Sequence, residues 1–226
     1  MEEELINKIL EEAKADSKST TSEPADLKLV ENWTPTSQWV EGAYPWRHRR
    51  LLQAEFTKTG VPWLHWEEPT TQKLLEASES LQEGDCLLVL LGPRGTGKTQ
   101  AAVELSLKLD LHLQKTDRPI GHMYAPLGEL LNKEKASWDD KMIDSPLKKA
   151  KGVGLLVLDE IQESSASDWE CQQLTLLIDD RYRNMKRTIL IGNLNPTGLE
   201  KFLSKSIASR LKETGTIIQM TGEKYR

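Results

Sequence analysis

Between residues 70 and 220 the chain alternates two hydrophobic rhythms. Short unbroken apolar runs, among them "CLLVLL", "GLLVLD" and "RTILIG", are separated by longer segments whose apolar residues return every three or four positions. The first pattern marks strands buried on both faces and the second marks helices with one apolar stripe. This reading predicts a helix over 70–81, a strand over 85–91, a helix over 98–110 and a strand at "PIGHMYA". A helical stretch over 126–135, a short helix near "SPLKKAK", a strand at "GLLVLD" and a helix over 168–184 follow. A strand at "RTILIGN", helical runs near 197–212 and a last strand at "TIIQM" complete the series. Five strands joined by helical crossovers imply an α/β fold, with a mostly parallel sheet between helices. In such a sheet the ligand site lies at the C-terminal ends of the strands.

Upstream of residue 70 the rhythm changes twice. Leu5, Ile6, Ile9, Leu10 and Ala13 form one apolar stripe at helical spacing, and "ADSKSTTSEPAD" then has no period and reads as a flexible linker. Residues 1–31 are therefore expected to be a short helical extension on a tether, its stripe either folded back on the core or docked on a partner. Residues 32–69 hold five of the seven tryptophans, Trp33, Trp39, Trp46, Trp63 and Trp66, interleaved with Arg47, His48, Arg49 and Arg50. Such aromatics can stack on bases. Their irregular spacing among prolines instead suggests an arm packed on the core. The chain is thus divided into 1–31, 32–69 and an α/β domain over 70–226.

Composition narrows the setting. A chain of 226 residues with 38% hydrophobic content can bury one sizeable core. It has no apolar run of membrane-spanning length, and "MEEELINKIL" is acidic where a signal peptide would be basic, so a cytoplasmic location is expected. The net charge of -5 resides in residues 1–31, whereas residues 178–226 are net basic and could face phosphates. Cys86 and Cys171 lack metal-ligand spacing, as do His48, His65, His112 and His122.

The segment "GPRGTGKT", residues 92–99, fits the phosphate-loop pattern G-x-x-x-x-G-K-[ST] between an apolar strand and a helix. Gly92, Gly95 and Gly97 let main-chain N–H groups close on phosphate oxygens, with Pro93, Arg94 and Thr96 completing the loop. Lys98 would reach the outer phosphates and Thr99 would bind Mg²⁺. About 57 residues further on, "LLVLDE" delivers Asp159 and Glu160 at a strand end. Asp159 suits Mg²⁺, directly or through water, and Glu160 can accept a proton from water attacking the γ-phosphate. Asn193, ending "TILIGN", is placed to orient that water and to sense the γ-phosphate. Asn195, before Pro196, reads as a turn residue.

The phosphate loop, "LLVLDE", "LIGNLNP", "SIASRL" and the closing "GEKYR" together resemble the DnaC-like helicase loaders, a branch of the AAA+ ATPases that also contains IstB-type transposition helpers. The resemblance spans roughly residues 70–226. It implies an AAA+ ATPase core that binds ATP with Mg²⁺ and hydrolyses it. Asn193 matches the first sensor, and Arg210 matches an arginine finger that enters a neighbouring subunit's site. Asp179 and Arg181, in "LLIDDRYRNMKR", match possible subunit contacts. The family's extra helical insertion, which touches single-stranded DNA, corresponds to "PLGELLNKEKASWDDKMIDSPLKKAKG", with Lys133, Lys135, Trp138, Lys148, Lys149 and Lys151 as candidates. Only about six residues follow the last strand, so no C-terminal lid is expected, and the isolated monomer is expected to hydrolyse ATP weakly. The implied function is loading of a replicative hexameric helicase onto single-stranded DNA, in cellular or phage replication. The alternative is an IstB-like helper of a transposase on double-stranded DNA.

Overall fold

The computed structural model describes residues 68–84, 86–115, 120–138, 144–163, 167–195, 198–199 and 202–221. The expected N-terminal extension, the tryptophan-rich arm and the closing "GEKYR" lie outside them. The elements run α1 (Glu68–Glu83), β1 (Leu87–Leu91), α2 (Lys98–Lys115), β2 (His122–Pro126), α3 (Leu127–Ser137) and α4 (Pro146–Gly152). They continue with β3 (Leu155–Asp159), a 3₁₀ turn (Ile161–Glu163), α5 (Asp168–Arg183), β4 (Arg187–Gly192), α6 (Lys205–Thr214) and β5 (Gly215–Gln219).

The five strands form one sheet in the order β2-β3-β4-β1-β5, and every pairing is parallel. The apolar runs account for this: β1 and β3 are buried along their whole length, and β4 from its second residue. A strand covered on both faces shows no alternation, and a parallel sheet needs helical crossovers on each side. Alternate strand residues divide the core. Leu88, Leu90, Val157 and Ile189 pack with Leu74 and Leu81 of α1 and with Leu105 and Leu109 of α2. Val89, Leu156, Leu158 and Leu190 pack with α3 to α6, through residues such as Leu130, Leu177 and Leu211. No helix among the described residues is long and apolar enough to cross a membrane.

Several boundaries differ from the sequence expectation. The first helix starts at Glu68, and α2 runs to Lys115 because Leu109 and Leu113 keep its buried stripe going past residue 110. β2 begins only at His122, where pairing with Leu155 begins. The expected helical runs near 197–212 are present, with helical residues at 198–199 and 202 ahead of α6. α6 starts at Lys205 because the Ser204 hydroxyl accepts from the Ile207 N–H and caps it. It then passes into β5 with no intervening residue. Gly215 makes that junction possible: a Cβ there would lie 2.5 Å from the Leu211 carbonyl oxygen.

Arg181 corrects an implication of the resemblance. It is fully buried, so it cannot serve as a subunit contact. Nη1 donates to the carbonyls of Ala150 (2.6 Å) and Val153 (2.8 Å), Nε donates to Thr188 Oγ1 (2.9 Å), and Nη2 donates to the Arg187 carbonyl. The guanidinium thus occupies carbonyls at the end of α4 and joins them to the start of β4, where a cation suits a helix C-terminus. Burial pulls its pKa down to about 10, which leaves it charged at neutral pH. Asp179 stays partly exposed and accepts from Ser206 Oγ at 2.6 Å within the α5–α6 contact. Arg181→Met should leave several buried carbonyls without donors and lower unfolding stability by about 3–5 kcal/mol, read from the urea midpoint. A change below about 1 kcal/mol would contradict this role for the guanidinium.

Candidate functional site

The site is assembled where β1, β3 and β4 end together. β1 is flanked by β4 and β5, with Leu91 level with Gly192 and Gln219. The chain then turns through residues 92–97 into α2. Gly92, Gly95 and Gly97 have φ of 143°, 91° and 83°, a region that L side chains avoid. Gly92 is further constrained by space, since a Cβ would stand 2.2 Å from the Met220 carbonyl oxygen. Met220 N–H donates to the Leu91 carbonyl at 2.7 Å, so the strand beside β1 forms the floor of the loop.

Lys98 is buried, and its ammonium donates to the carbonyls of Gly92 (2.8 Å) and Pro93 (2.7 Å). Burial lowers its pKa, and the nearby Asp159 carboxylate opposes that shift. Thr96 Oγ1 donates to the Pro93 carbonyl at 3.0 Å and braces the turn. The first helical bond of α2 runs from Ala101 N–H to the Gly97 carbonyl. The N–H groups ahead of it and the positive end of the helix dipole make a site for an anion.

At the end of β3, Asp159 is buried and accepts three hydrogen bonds. Thr99 Oγ1 and the Tyr124 hydroxyl each donate to Oδ2 at 2.8 Å, and Glu160 N–H donates to Oδ1 at 2.7 Å. Burial, then the Asp159 charge, holds the Tyr124 phenol above its ordinary pKa, so it remains a donor at neutral pH. Glu160 has φ of 54°, a left-handed backbone that a non-glycine residue adopts at a cost of about 1–3 kcal/mol and that recurs at functional sites. At the end of β4, Asn193 N–H donates to Gln162 Oε1 at 2.9 Å, tying that strand end to the turn after Glu160.

Lys98, Thr99, Asp159, Glu160 and Asn193 therefore share one edge of the sheet, as the sequence implied. Tyr124 and Gln162 were missed. The first could have been found by alternation: Tyr124 is level with Val157, which faces the same side as Asp159. Gln162 carries no sequence signal that marks it. The arrangement can cradle phosphates, offers hard oxygen donors beside them and presents a carboxylate able to take a proton from water.

Arg210 and the lysine candidates lie elsewhere. Arg210, on α6, is 3.5 Å from Asp179 and 3.8 Å from Glu213, with its guanidinium 4.4 Å from the centre of the Tyr182 ring. The Tyr182 hydroxyl donates to Glu213. On α3, Lys133 pairs with Glu129 at 3.3 Å, and Lys135 pairs with Glu170 at 3.2 Å while lying 4.7 Å from the centre of the Trp169 ring. Trp138 meets Trp169 edge to face at 5.3 Å and remains 61% exposed. On α4, Lys148 and Lys149 are exposed and Lys151 is half-buried.

Residues 65–226 match the family described as IstB-like ATP binding protein. The chain belongs to that family. The "Insertion sequence IS21 putative ATP-binding protein" of Pseudomonas aeruginosa is 23% identical over 194 residues, which span 80% of this chain and 71% of that one. A crystal structure of the DnaC helicase loader superposes with a TM-score of 0.58 at 22% identity, covering 70% of this chain and 94% of that one. A crystal structure of DnaI gives 0.57 at 19% identity, covering 79% and 93%. At these identities the solved structures establish the fold. The IstB-like chain is an AAA+ P-loop ATPase. In this member, Glu160→Gln should retain ATP binding and lower single-turnover hydrolysis by about 10²–10⁴-fold. Unchanged turnover would move the base role to another group.

Proposed function

We propose that this chain is a cytoplasmic, ATP-dependent loader of a replicative hexameric helicase onto single-stranded DNA, cellular or phage-encoded. ATP is held by Gly92–Thr99. Thr99 and Asp159, a hydroxyl and a carboxylate 2.8 Å apart, match the oxygen-donor chemistry of Mg²⁺. Glu160 takes the proton of the attacking water, and Asn193 orients that water and senses the γ-phosphate.

The observation that carries the assembly step is the position of Arg210. Its contacts are with Asp179, Tyr182 and Glu213, on α5 and its own helix, and not with the phosphate loop. Lying away from its own phosphate loop, Arg210 is read as serving the site of a neighbouring chain once it leaves its pairing with Asp179 and Glu213, and a trans arginine raises phosphoryl transfer by about 10³–10⁵. The isolated monomer is then a weak ATPase, and assembly is the switch. For DNA, Lys148, Lys149 and Lys151 are better placed than Lys133 and Lys135, whose charges are paired with Glu129 and Glu170. Trp138 keeps an exposed ring for stacking. The helical extension over 1–31 is the proposed grip on the helicase.

The IS21 relative favours a second reading, a transposase helper acting on double-stranded DNA. Co-elution on a sizing column with ATP separates the two. A complex with the source organism's replicative helicase, lost when residues 1–31 are removed, is the loader outcome. Absence of that complex together with tight binding of duplex DNA would replace it with the transposase helper. In mixed assemblies, Arg210→Ala chains should bind ATP normally and depress wild-type turnover beyond their share. A purely proportional loss would refute action in trans.

A further inference from the structure

Tyr124 lies outside every segment that marks the nucleotide site in the sequence, yet its hydroxyl rests on the carboxylate at the centre of that site. In the β2–β3 register Tyr124 stands beside Val157 and Pro126 beside Asp159. Tyr124 and Asp159 therefore point to the same side of the sheet, two residues apart along the strand direction. The Tyr124 ring packs against the core under α1 and α2. Its hydroxyl reaches toward the strand ends and donates to Asp159 Oδ2 at 2.8 Å.

The same oxygen accepts Thr99 Oγ1 at 2.8 Å, and Oδ1 accepts Glu160 N–H at 2.7 Å. An ionised carboxylate offers about four lone-pair positions, and these donors use three of them. They come from α2, from β2 and from the main chain beside Asp159, so rotation of the carboxylate breaks bonds to separate parts of the fold at once. Of the two hydroxyls on Oδ2, the Thr99 hydroxyl is itself an expected metal ligand. The Tyr124 hydroxyl belongs to a different strand and can hold the carboxylate while Thr99 engages the ion.

We propose that Tyr124 is a positioning residue of the metal site, whose hydroxyl fixes the Asp159 carboxylate in the orientation that receives the Mg²⁺ of the bound nucleotide. The inference rests on the reading that Thr99 and Asp159 hold Mg²⁺. Partners that orient a metal's ligands commonly govern 10–100-fold in metal affinity. Hydrogen bonds to a charged acceptor are also about twice as strong as neutral ones.

The test uses Tyr124→Phe in the full chain, which keeps the ring and removes only the hydroxyl. Binding of a fluorescent ATP analogue is titrated at a series of Mg²⁺ concentrations and in EDTA, with thermal unfolding in EDTA followed in parallel. The expected result is that half-saturation by Mg²⁺ moves up about tenfold while affinity in EDTA is unchanged, with the unfolding midpoint lowered only by the loss of one hydrogen bond to a buried carboxylate. Half-saturation equal to wild type would overturn the proposal. So would a loss of affinity as large in EDTA as in Mg²⁺, or a lowered midpoint with unaltered Mg²⁺ dependence, since either gives the hydroxyl a purely structural role. If wild-type binding itself were independent of Mg²⁺, the metal assignment would fall and this inference with it. A Mg²⁺-independent wild type and an unaltered variant are thus read apart, and neither depends on helicase or DNA.

Discussion

The burial of the Asp159 charge constrains the whole nucleotide-binding edge. An ionised carboxylate inside a protein is costly unless donors replace its water. Here they are supplied by the hydroxyls of Thr99 and Tyr124 and by the Glu160 main chain. Meeting that requirement aligns the first turn of α2, the end of β3 and the neighbouring β2. The glycine loop, between β1 and α2, is held by its own bonds from Lys98 and Thr96 to the Gly92 and Pro93 carbonyls. Glu160 takes its left-handed backbone directly after the residue so constrained.

The opposite end of the sheet follows the same logic with the sign reversed. Arg181 lies buried among the carbonyls that precede β3 and begin β4. Asp159 lies where β3 finishes. Each buried charge is satisfied mainly by hydrogen-bonding groups with fixed positions, so each defines geometry as well as supplying energy. Between them runs an apolar interior in which β1 and β3 are covered on both faces. The polar ends set the direction and register of the strands, and the apolar middle supplies most of the driving force for folding.

Much of this was readable before any coordinates. The unbroken runs "CLLVLL", "GLLVLD" and "RTILIG" announce buried parallel strands, and Asp159, Glu160 and Asn193 stand at their ends because residues after such runs emerge at the sheet's edge. What escaped depends on contacts between distant segments. Tyr124 reaches Asp159 across 35 residues, and Lys135 reaches Glu170 across another 35. Arg181 is an acute case: arginine in an amphipathic helix reads as a surface residue, and only the proximity of α4 and β4 turns it inward. The break between the helical runs near 197–212 was not legible, because the Ser204 cap that starts α6 is a local hydrogen bond that periodicity does not register.

The junction between α6 and β5 gives the domain an unusually short lever. Gly215 lets the helix become a strand without a linker, and at the far end of that strand the Met220 carbonyl lies against Gly92. Arg210 is therefore ten residues from the floor of the phosphate loop, along a path made only of helix end and paired strand. The α6 helix and the floor of the phosphate loop are consecutive parts of one hydrogen-bonded stretch of main chain, from the Ser204 cap to Met220, so the two are placed by the same short segment of sequence.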